Sequence, residues 1–251
     1  MNTNLYAEGA IKVAHYKSFE LWGMTFHWDT ILATAIAAGI VLILAFILKA
    51  KVTSTGVPSG VQLFWEAITI QLRGQIESAI GLRVAPFLLP LAIALFSLIL
   101  FANWLAVLPQ QYSGEGGTPS EIFLPPAADV SFVYALVLVV YLGYHFAGFR
   151  THGLFGYPAK VVKGHAIGLA PINVIEELVS KPLSLALRLF GNVFAGTVMV
   201  AVIALLPAYI LWFPNSLWKS FELFVGLIQA FIFSLLTILY FSTAMEKTEH
   251  H

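Results

Sequence analysis

The chain has 251 residues, of which 59% are hydrophobic and only 10% are charged, and its formal net charge is zero. A soluble domain carries about a quarter charged residues, so the composition excludes that class and indicates a membrane protein. Neither the net charge nor any basic block suggests nucleic-acid binding, and the absence of cysteine excludes disulfides and thiol chemistry.

The N-terminal segment, residues 1–29, mixes charged residues such as Lys12 and Glu20 with Trp and Phe. It lacks the basic start, apolar run and small-residue cleavage site of a removable signal peptide. We therefore expect an external N-terminal segment, followed by a single polytopic membrane domain over residues 30–251.

Apolar segments long enough to cross a bilayer as helices recur along the rest of the chain. They cover about residues 30–48, 86–108, 130–149, 171–206 and 217–245. Lipid leaves the backbone no other way to satisfy its polar groups, so all of them should be helices. The predicted fold class is an all-α membrane protein with about five spans, the last two separated by Pro207 and Pro214.

Residues 57–83, between the first two spans, follow a different pattern. Apolar residues recur there at helical spacing, with polar residues on the other faces: Val61, Phe64, Ile68, Leu72, Ile76 and Ile80. This pattern predicts an amphipathic helix lying on the cytoplasmic interface. A surface helix with no special role fits the same pattern.

The loops alternate in charge. Residues 49–83 carry four basic residues, residues 109–129 carry three acids and no Lys or Arg, and residues 150–168 carry three basic residues and no acid. Basic loops stay cytoplasmic, so five spans place the N-terminus outside and the C-terminus inside.

The fourth apolar segment is too long for a simple span. As one helix, residues 171–206 would measure about 54 Å, against about 30 Å of hydrocarbon. Together with the last segment it predicts a strongly tilted helical hairpin over residues 171–245, bent near Pro182.

Arg188 lies near the middle of that long helix, among leucines and Phe190. An arginine at the bilayer centre costs about 2.5–3.5 kcal/mol to insert, so it indicates a function. The alternative is an arginine that pairs with a buried acid and locks two helices together.

A helical wheel places several polar and small residues on one strip with Arg188. The strip comprises Glu177, Lys181, Ser184, Gly191 and Ala195, with Asn192 at its edge. Glu176 falls off this strip, so Glu177 is the better candidate. The small residues would let another helix approach Arg188 closely.

The last helix has a strip of its own, formed by Glu222, Gly226, Gln229, Phe233 and Tyr240. Gln229 lies at about the depth of Arg188, and Glu222 lies about 10 Å further outward along the helix. These positions suggest two half-paths that meet at a fixed positive charge.

The outer half-path begins where Asp129 opens the third span at the outer surface, and Glu177 lies on the inner side. Interhelical hydrogen bonding is an equally open interpretation of Gln229 and Asn192. His145 fits an ordinary interfacial residue better than a relay. His15, His27, His152 and His165 are expected in loops without ligand spacing, so we expect neither a metal nor a cofactor.

Two motifs resemble the signatures of a known family. The run Ser-Lys-Pro-Leu-Ser-Leu-Ala-Leu-Arg-Leu-Phe-Gly-Asn-Val-Phe-Ala-Gly over residues 180–196 is similar to the signature of subunit a of F-type ATP synthases, and the stretch Gln-Ala-Phe-Ile-Phe-Ser-Leu-Leu-Thr over residues 229–237 resembles its second signature. Similar motifs precede them at residues 103–109, 128–130 and 171–177. The resemblance covers about residues 22–240 and is strongest to the actinobacterial, mycobacterial-type branch.

The resemblance implies that Arg188 is the stator arginine facing a rotating ring of c subunits. Gln229 matches the polar partner on the last helix, and Asn192 the position one turn beyond the arginine. Some members carry an acid directly after the Ala-Gly pair and a histidine before the glutamine, where this chain has Thr197 and Glu222. An acid has moved between helices.

The resemblance also implies a proton-conducting role in the bacterial plasma membrane, alongside the c-ring and the b subunits of the peripheral stalk. Whether H⁺ or Na⁺ is carried depends mostly on the ring. No Gly-rich phosphate loop is present, so ATP chemistry would occur on other subunits. A stand-alone transporter would need a substrate pocket and usually repeated halves, and the remaining rival is a structural anchor.

Overall fold

The structure is a computed structural model that describes residues 18–21, 24–52, 57–108, 111–113, 119–121, 126–164 and 170–246. Most of the segment 1–29 and two of the loop histidines, His15 and His165, lie outside these residues. The helices are α1 (Trp28–Lys51), α2 (Gly60–Ala79), α3 (Leu88–Val107), α4 (Val130–Lys163), α5 (Ala170–Ile175), α6 (Lys181–Ile203) and α7 (Ala208–Met245).

Five membrane spans are confirmed within the described part of the chain. By length and composition the spans are Thr30–Lys51, Leu88–Val107, Val130–Lys163, Ala170–Ile203 and Tyr209–Met245. Outside them lie two short antiparallel ribbons that the sequence reading did not expect. One pairs β1 (Ser18–Leu21) with β2 (Met24–His27), which places His27 in a strand, and the other pairs β3 (Gln111–Ser113) with β4 (Pro119–Glu121).

Helix α3 lies at the centre of the bundle and packs most extensively on α7, with α1 and α2 on its other sides. Helix α4 packs on both α6 and α7. Hydroxyl groups help α3 and α7 approach each other, since Ser234 Oγ donates to the carbonyl of Ala92 at 3.2 Å. The largest side chains of the resulting core include Leu88, Leu100, Val140, Tyr144, Leu189 and Phe233.

Helix α2 begins three residues later and ends four residues earlier than the predicted segment. Ser59 caps its N-terminus by accepting a hydrogen bond from the Gln62 N–H at 3.3 Å. Leu72 and Ile76, from the predicted apolar face, are fully buried in the main core. The amphipathic interpretation therefore holds for its packing, and its place on the membrane interface stays a prediction.

The fourth span is interrupted just before Pro182, where the sequence predicted a bend. Residues Glu176–Ser180 form a π-helical turn between α5 and α6. Pro182 has no N–H, and its ring would collide with the carbonyl four residues earlier, on Leu178. The backbone avoids the collision by widening, so the Lys181 N–H bonds to the carbonyl of Glu176.

Helix α7 starts earlier than predicted, so the expectation that Pro207 and Pro214 both lie between the helices is wrong. Pro207 is the N-cap and its carbonyl accepts the N–H groups of Ile210 and Leu211. Pro214 lies inside the helix, where it removes one hydrogen bond. The earlier start places Glu222 about 7 Å from the middle of a helix about 57 Å long.

Helix α4 also runs further than predicted, because it resumes after a break at Gly153, whose φ is 78°. His152 therefore lies on a helix and not in a loop, which corrects that expectation. Beyond the break, Lys160 Nζ donates to the carbonyls of Thr243 at 2.7 Å and Glu246 at 2.5 Å. The end of α4 thus holds the last turn of α7.

We call the end of the bundle at which α1 closes with Lys49 and Lys51, and α4 with Lys160 and Lys163, the basic end. Helix α3 begins there and α7 ends there. The lengths of the last two spans, 34 and 37 residues, exceed what an upright span needs and agree with the expected tilt.

Candidate functional site

Arg188 is exposed on α6, one turn beyond buried Leu185 and beside buried Leu189. The buried residues of α6, which packs against α4 and α7, lie on a neighbouring face, about 100° around the helix from Arg188. Within the described part of the chain, no carboxylate lies within 4.0 Å of the guanidinium, and the guanidinium makes no hydrogen bond. The arrangement does not fit an arginine that locks two helices through a buried acid.

The part of the predicted strip nearest Arg188, from Ser184 to Ala195, is open in the structure. Ser184 and Ala195 are exposed on the same side, and Asn192 is half-buried. A Cβ built on Gly191 would meet no atom within 4 Å. An uncovered strip around a charge in mid-span is the surface that a second membrane component with a negative group would fit.

On the basic-end side of Arg188, Glu177 and Lys181 form an ion pair at 2.5 Å, and their side chains are 14% and 17% exposed. The Tyr144 hydroxyl donates to the Glu177 carbonyl at 3.4 Å. Glu176, the neighbouring acid, is exposed. The structure thus brings Glu177 into a partly buried polar group.

Tyr240 of α7 lies near both this polar group and Arg188. The Lys181 ammonium lies 5.5 Å from the centre of the Tyr240 ring. The Tyr240 hydroxyl is within electrostatic reach of both Arg188 and Glu177. Half-buried polar groups therefore extend from Glu177 toward the arginine.

On the other side, Glu222 of α7 lies against α6. Its Oε1 accepts a hydrogen bond from Trp218 Nε1 at 3.0 Å, and its Oε2 lies 3.6 Å from Lys219 Nζ. A Cβ on Gly196 would stand 2.5 Å from Oε1. The absence of a side chain at Gly196 therefore makes room for the carboxylate between the two helices.

Two further polar side chains are buried, Gln229 on α7 and Asn103 on α3. They are 5% and 4% exposed, and Gln229 Nε2 and Asn103 Oδ1 have no hydrogen-bond partner among the described residues. Asn103 Nδ2 donates to the Gly226 carbonyl at 3.4 Å. Such atoms cost about 1–3 kcal/mol when left unpaired, and ordered water is their usual partner.

The sequence reading did not select Asn103 as a site residue. It lies near the end of α3 opposite the basic end, where a polar residue fits the membrane surface equally well. The available signal was its place in the Asn-Trp-Leu motif, whose Trp104 Nε1 donates to the Leu223 carbonyl at 3.1 Å. The predicted strip of α7 therefore packs partly on α3.

Asp129 is 8% exposed and both of its oxygens are bonded. Oδ2 accepts from the Thr30 hydroxyl at 2.7 Å, and Oδ1 accepts from the Ser131 N–H at 2.8 Å, which caps α4. These contacts join α1 to the start of α4. Within the described residues, no hydrogen bond links Asp129 to Glu222 or Gln229.

A cluster of rings, also not selected from the sequence, surrounds His145 on α4. Its Nδ1 lies 3.3 Å from the Tyr157 hydroxyl, and Tyr141 and Tyr144 pack against the imidazole. Tyr144 joins this cluster to Glu177. The cluster therefore places titratable groups at the basic end, next to the partly buried Glu177.

The comparisons agree on one family. The family model described as ATP synthase A chain matches residues 31–242. Proteins named ATP synthase subunit a are similar to this chain: that of Mycobacterium leprae is 57% identical over 251 residues, covering all of both chains, and that of Mycobacterium marinum is 61% identical over 241 residues, covering 96% of each. The one from Acidothermus cellulolyticus is 44% identical, covering 96% of this chain and 85% of its own.

Proposed function

The chain belongs to the ATP synthase A chain family, and on that premise we propose that it is the proton-conducting stator subunit of the membrane sector of an F-type ATP synthase. It is a multi-pass membrane protein that works as part of a complex with other subunits. It provides two offset aqueous half-channels and a fixed arginine, through which proton flow drives rotation and ATP synthesis.

The observation that carries this proposal is the exposed Arg188 in the middle of α6, which has no ion pair or hydrogen bond among the residues that the structure describes. A guanidinium stays protonated under all relevant conditions, so the charge is fixed and relays no proton itself. We propose that the open strip faces a ring of c subunits whose carboxylates supply the missing negative charge in turn.

The mechanism follows from charge. A ring carboxylic acid is neutral while it faces lipid, because an ion there would be unpaired. Opposite Arg188 its ionised form is favoured, so the proton leaves into one half-path. Arg188 also repels a proton moving straight between the half-paths, so transfer requires rotation of the ring.

The two half-paths use the two polar groups that lie on either side of Arg188. We assign Glu177 and Ser184 to the inner path. To the outer path we assign Glu222, Asn192, Gln229 and Asp129, and we add Asn103 for its buried unpaired oxygen. Each elementary charge that moves through a potential of 100 mV releases about 2.3 kcal/mol, which supplies the work of rotation.

We further propose that the basic end is cytoplasmic, so that the N-terminus is outside and the C-terminus inside, as the charges of the loops favour. In this orientation α2 lies on the cytoplasmic interface. We expect the b subunits of the peripheral stalk to hold the chain against the torque of the ring.

The test is ATP-driven acidification of inverted membrane vesicles that carry Arg188→Ala, measured in sodium-free buffer beside wild type. We expect pumping to be lost while the complex still assembles with its ring and stalk. Arg73→Ala, which removes an exposed arginine from α2, is the matched control and should pump normally. Retained pumping in the Arg188→Ala complex would show that the charge is structural.

A further inference from the structure

A groove at the basic end, on the surface shared by α3, α4 and α7, takes no part in the proposed ion path. Its volume is about 630 Å³, within the range of about 300–1,000 Å³ that small-molecule sites occupy. The lining is apolar except at one end, where Arg150 and Thr151 lie. The apolar residues include Phe87, Leu91, Val139, Phe146, Phe241 and Met245.

The groove has the length of one membrane leaflet. On α4 its lining runs from Val139 to Thr151, which is about 18 Å along the helix, and half of the hydrocarbon layer is about 15 Å thick. A hydrocarbon layer of about 30 Å that begins at Val130 ends about 20 residues along α4, at Arg150, which puts the charged end of the groove at the membrane surface and the apolar end near the middle of the bilayer. A cation at the surface with an apolar trough running inward complements an anionic phospholipid, whose charged headgroup lies at the surface and whose acyl chains run inward.

The charge at the surface end is available to a ligand. Arg150 is exposed, and within the described part of the chain it makes no hydrogen bond or ion pair. The Thr151 hydroxyl donates a hydrogen bond to the Ala147 carbonyl at 2.9 Å. An arginine presents several donors in a planar fork that matches a phosphate group.

The floor of the groove is formed by closely packed side chains. Phe241 packs edge to face on Phe87 with ring centres 5.6 Å apart. A Cβ on Gly143 would stand 3.1 Å from the Phe241 ring, so the glycine lets α7 and α4 close the floor. Phe146, in contrast, is 67% exposed at the rim, where it would flank an occupant.

We infer that this groove binds one anionic phospholipid of the cytoplasmic leaflet, with its phosphate on Arg150 and an acyl chain along α4 toward Val139. A membrane-crossing helix of another subunit fits less well, because it would be about 30 Å long and the groove ends near mid-bilayer. The inference is independent of the path through Arg188.

The test uses the purified complex that contains this chain, reconstituted with phosphatidylglycerol that carries a photoreactive diazirine near the end of one acyl chain. After illumination, adducts are located and counted by mass spectrometry. We expect adducts on residues 139–147 and on Phe241. The same label on phosphatidylcholine should give about fivefold fewer, as expected for one basic group beside an anionic lipid.

Three variants sharpen the result. Arg150→Gln should reduce phosphatidylglycerol adducts about fivefold, whereas the control Arg73→Gln, on α2 and outside the groove, should leave them unchanged. Val139→Trp keeps the charge but fills the apolar end, and should also reduce them. Even if Arg150→Gln fails to assemble, Val139→Trp and the comparison of the two lipids decide the question.

Other outcomes would overturn the inference. Equal labelling by the two lipids, or undiminished labelling of Arg150→Gln, would mean ordinary, unselective lipid. Adducts absent from the groove in wild type would mean that another subunit covers it. Competition by excess inorganic phosphate would mean a site for a free anion and not for a lipid headgroup.

Discussion

The carboxylate of Glu222 on α7 lies directly over the backbone of Gly196 on α6. A Cβ at residue 196 would stand only 2.5 Å from Glu222 Oε1. The acid and the glycine therefore depend on each other across the hairpin, and Trp218 fixes the carboxylate from its own helix. This relationship connects the candidate outer half-path to the helix that carries Arg188.

Replacing Gly196 tests that relationship. In Gly196→Ala the new methyl group displaces the Glu222 carboxylate, since overlap at a packed contact costs about 1–3 kcal/mol. We expect slower ATP-driven acidification of inverted vesicles by an assembled complex. Adding Glu222→Asp, a shorter acid, should restore part of the rate. Gly74→Ala, where a Cβ would meet nothing within 4 Å, is the control and should behave as wild type.

Glu222 itself can be tested without changing its shape. Glu222→Gln keeps the acceptor for Trp218 but removes the titratable group, and a positioned acid or base typically contributes 10²-fold or more. We expect proton flux through the complex to fall by roughly tenfold or more with assembly intact. Glu77→Gln, an exposed carboxylate on α2, is the control. An unchanged flux across the pH range would remove Glu222 from the path.

The contact between Thr30 and Asp129 predicts a loss of stability. Asp129→Ala removes the cap of α4, worth about 0.5–2 kcal/mol, and the hydrogen bond from Thr30, worth about 1 kcal/mol. We expect the detergent-solubilised complex to unfold at a lower temperature. Asp129→Asn keeps one oxygen as acceptor for the Ser131 N–H, and its amide nitrogen can donate to the Thr30 hydroxyl in place of the bond that Oδ2 accepts, so it should unfold closer to wild type than Asp129→Ala. Asp129→Asn also tests our proposal that Asp129 carries protons, because proton pumping should still fall if it does.

The bonds from Lys160 to the end of α7 predict a local effect. Lys160→Met removes the donors that satisfy the carbonyls of Thr243 and Glu246, and a cation at a helix C-terminus contributes about 0.3–1 kcal/mol. Hydrogen exchange of the last turn of α7 should accelerate by a few fold. Lys163→Met, an exposed lysine in the same last turn of α4, should leave the exchange unchanged.

The sequence predicted what depends on local pattern. Hydropathy predicted the five spans, which the structure confirms, whereas the choice of Glu177 over Glu176 rests on a uniform helical wheel that the π-helical turn interrupts, and it stays a prediction. The start of α7 was missed because Pro214 is tolerated where only one hydrogen bond is lost. A lone proline marks a break only if the surrounding helix does not compensate for it.

The remaining misses depend on contacts between helices. The proximity of Glu222 to Gly196 joins residues far apart in the chain, and no periodicity within either helix reports it. Asn103 was missed because a polar residue near the end of a span is ordinary until a neighbouring helix buries it. The groove at Arg150 likewise exists only once α3, α4 and α7 are packed together.

The π-helical turn at residues 176–180 changes how the helical segment before it is oriented relative to α6, which follows it. A π-helical turn holds one more residue than the α-helical turn it replaces, so it rotates everything before it by about 100° relative to everything after it. The direction in which Glu177 points and the direction in which Arg188 points can therefore be adjusted independently. A lineage that gained or lost a single residue here could re-aim its inner acid while leaving the surface around the arginine untouched.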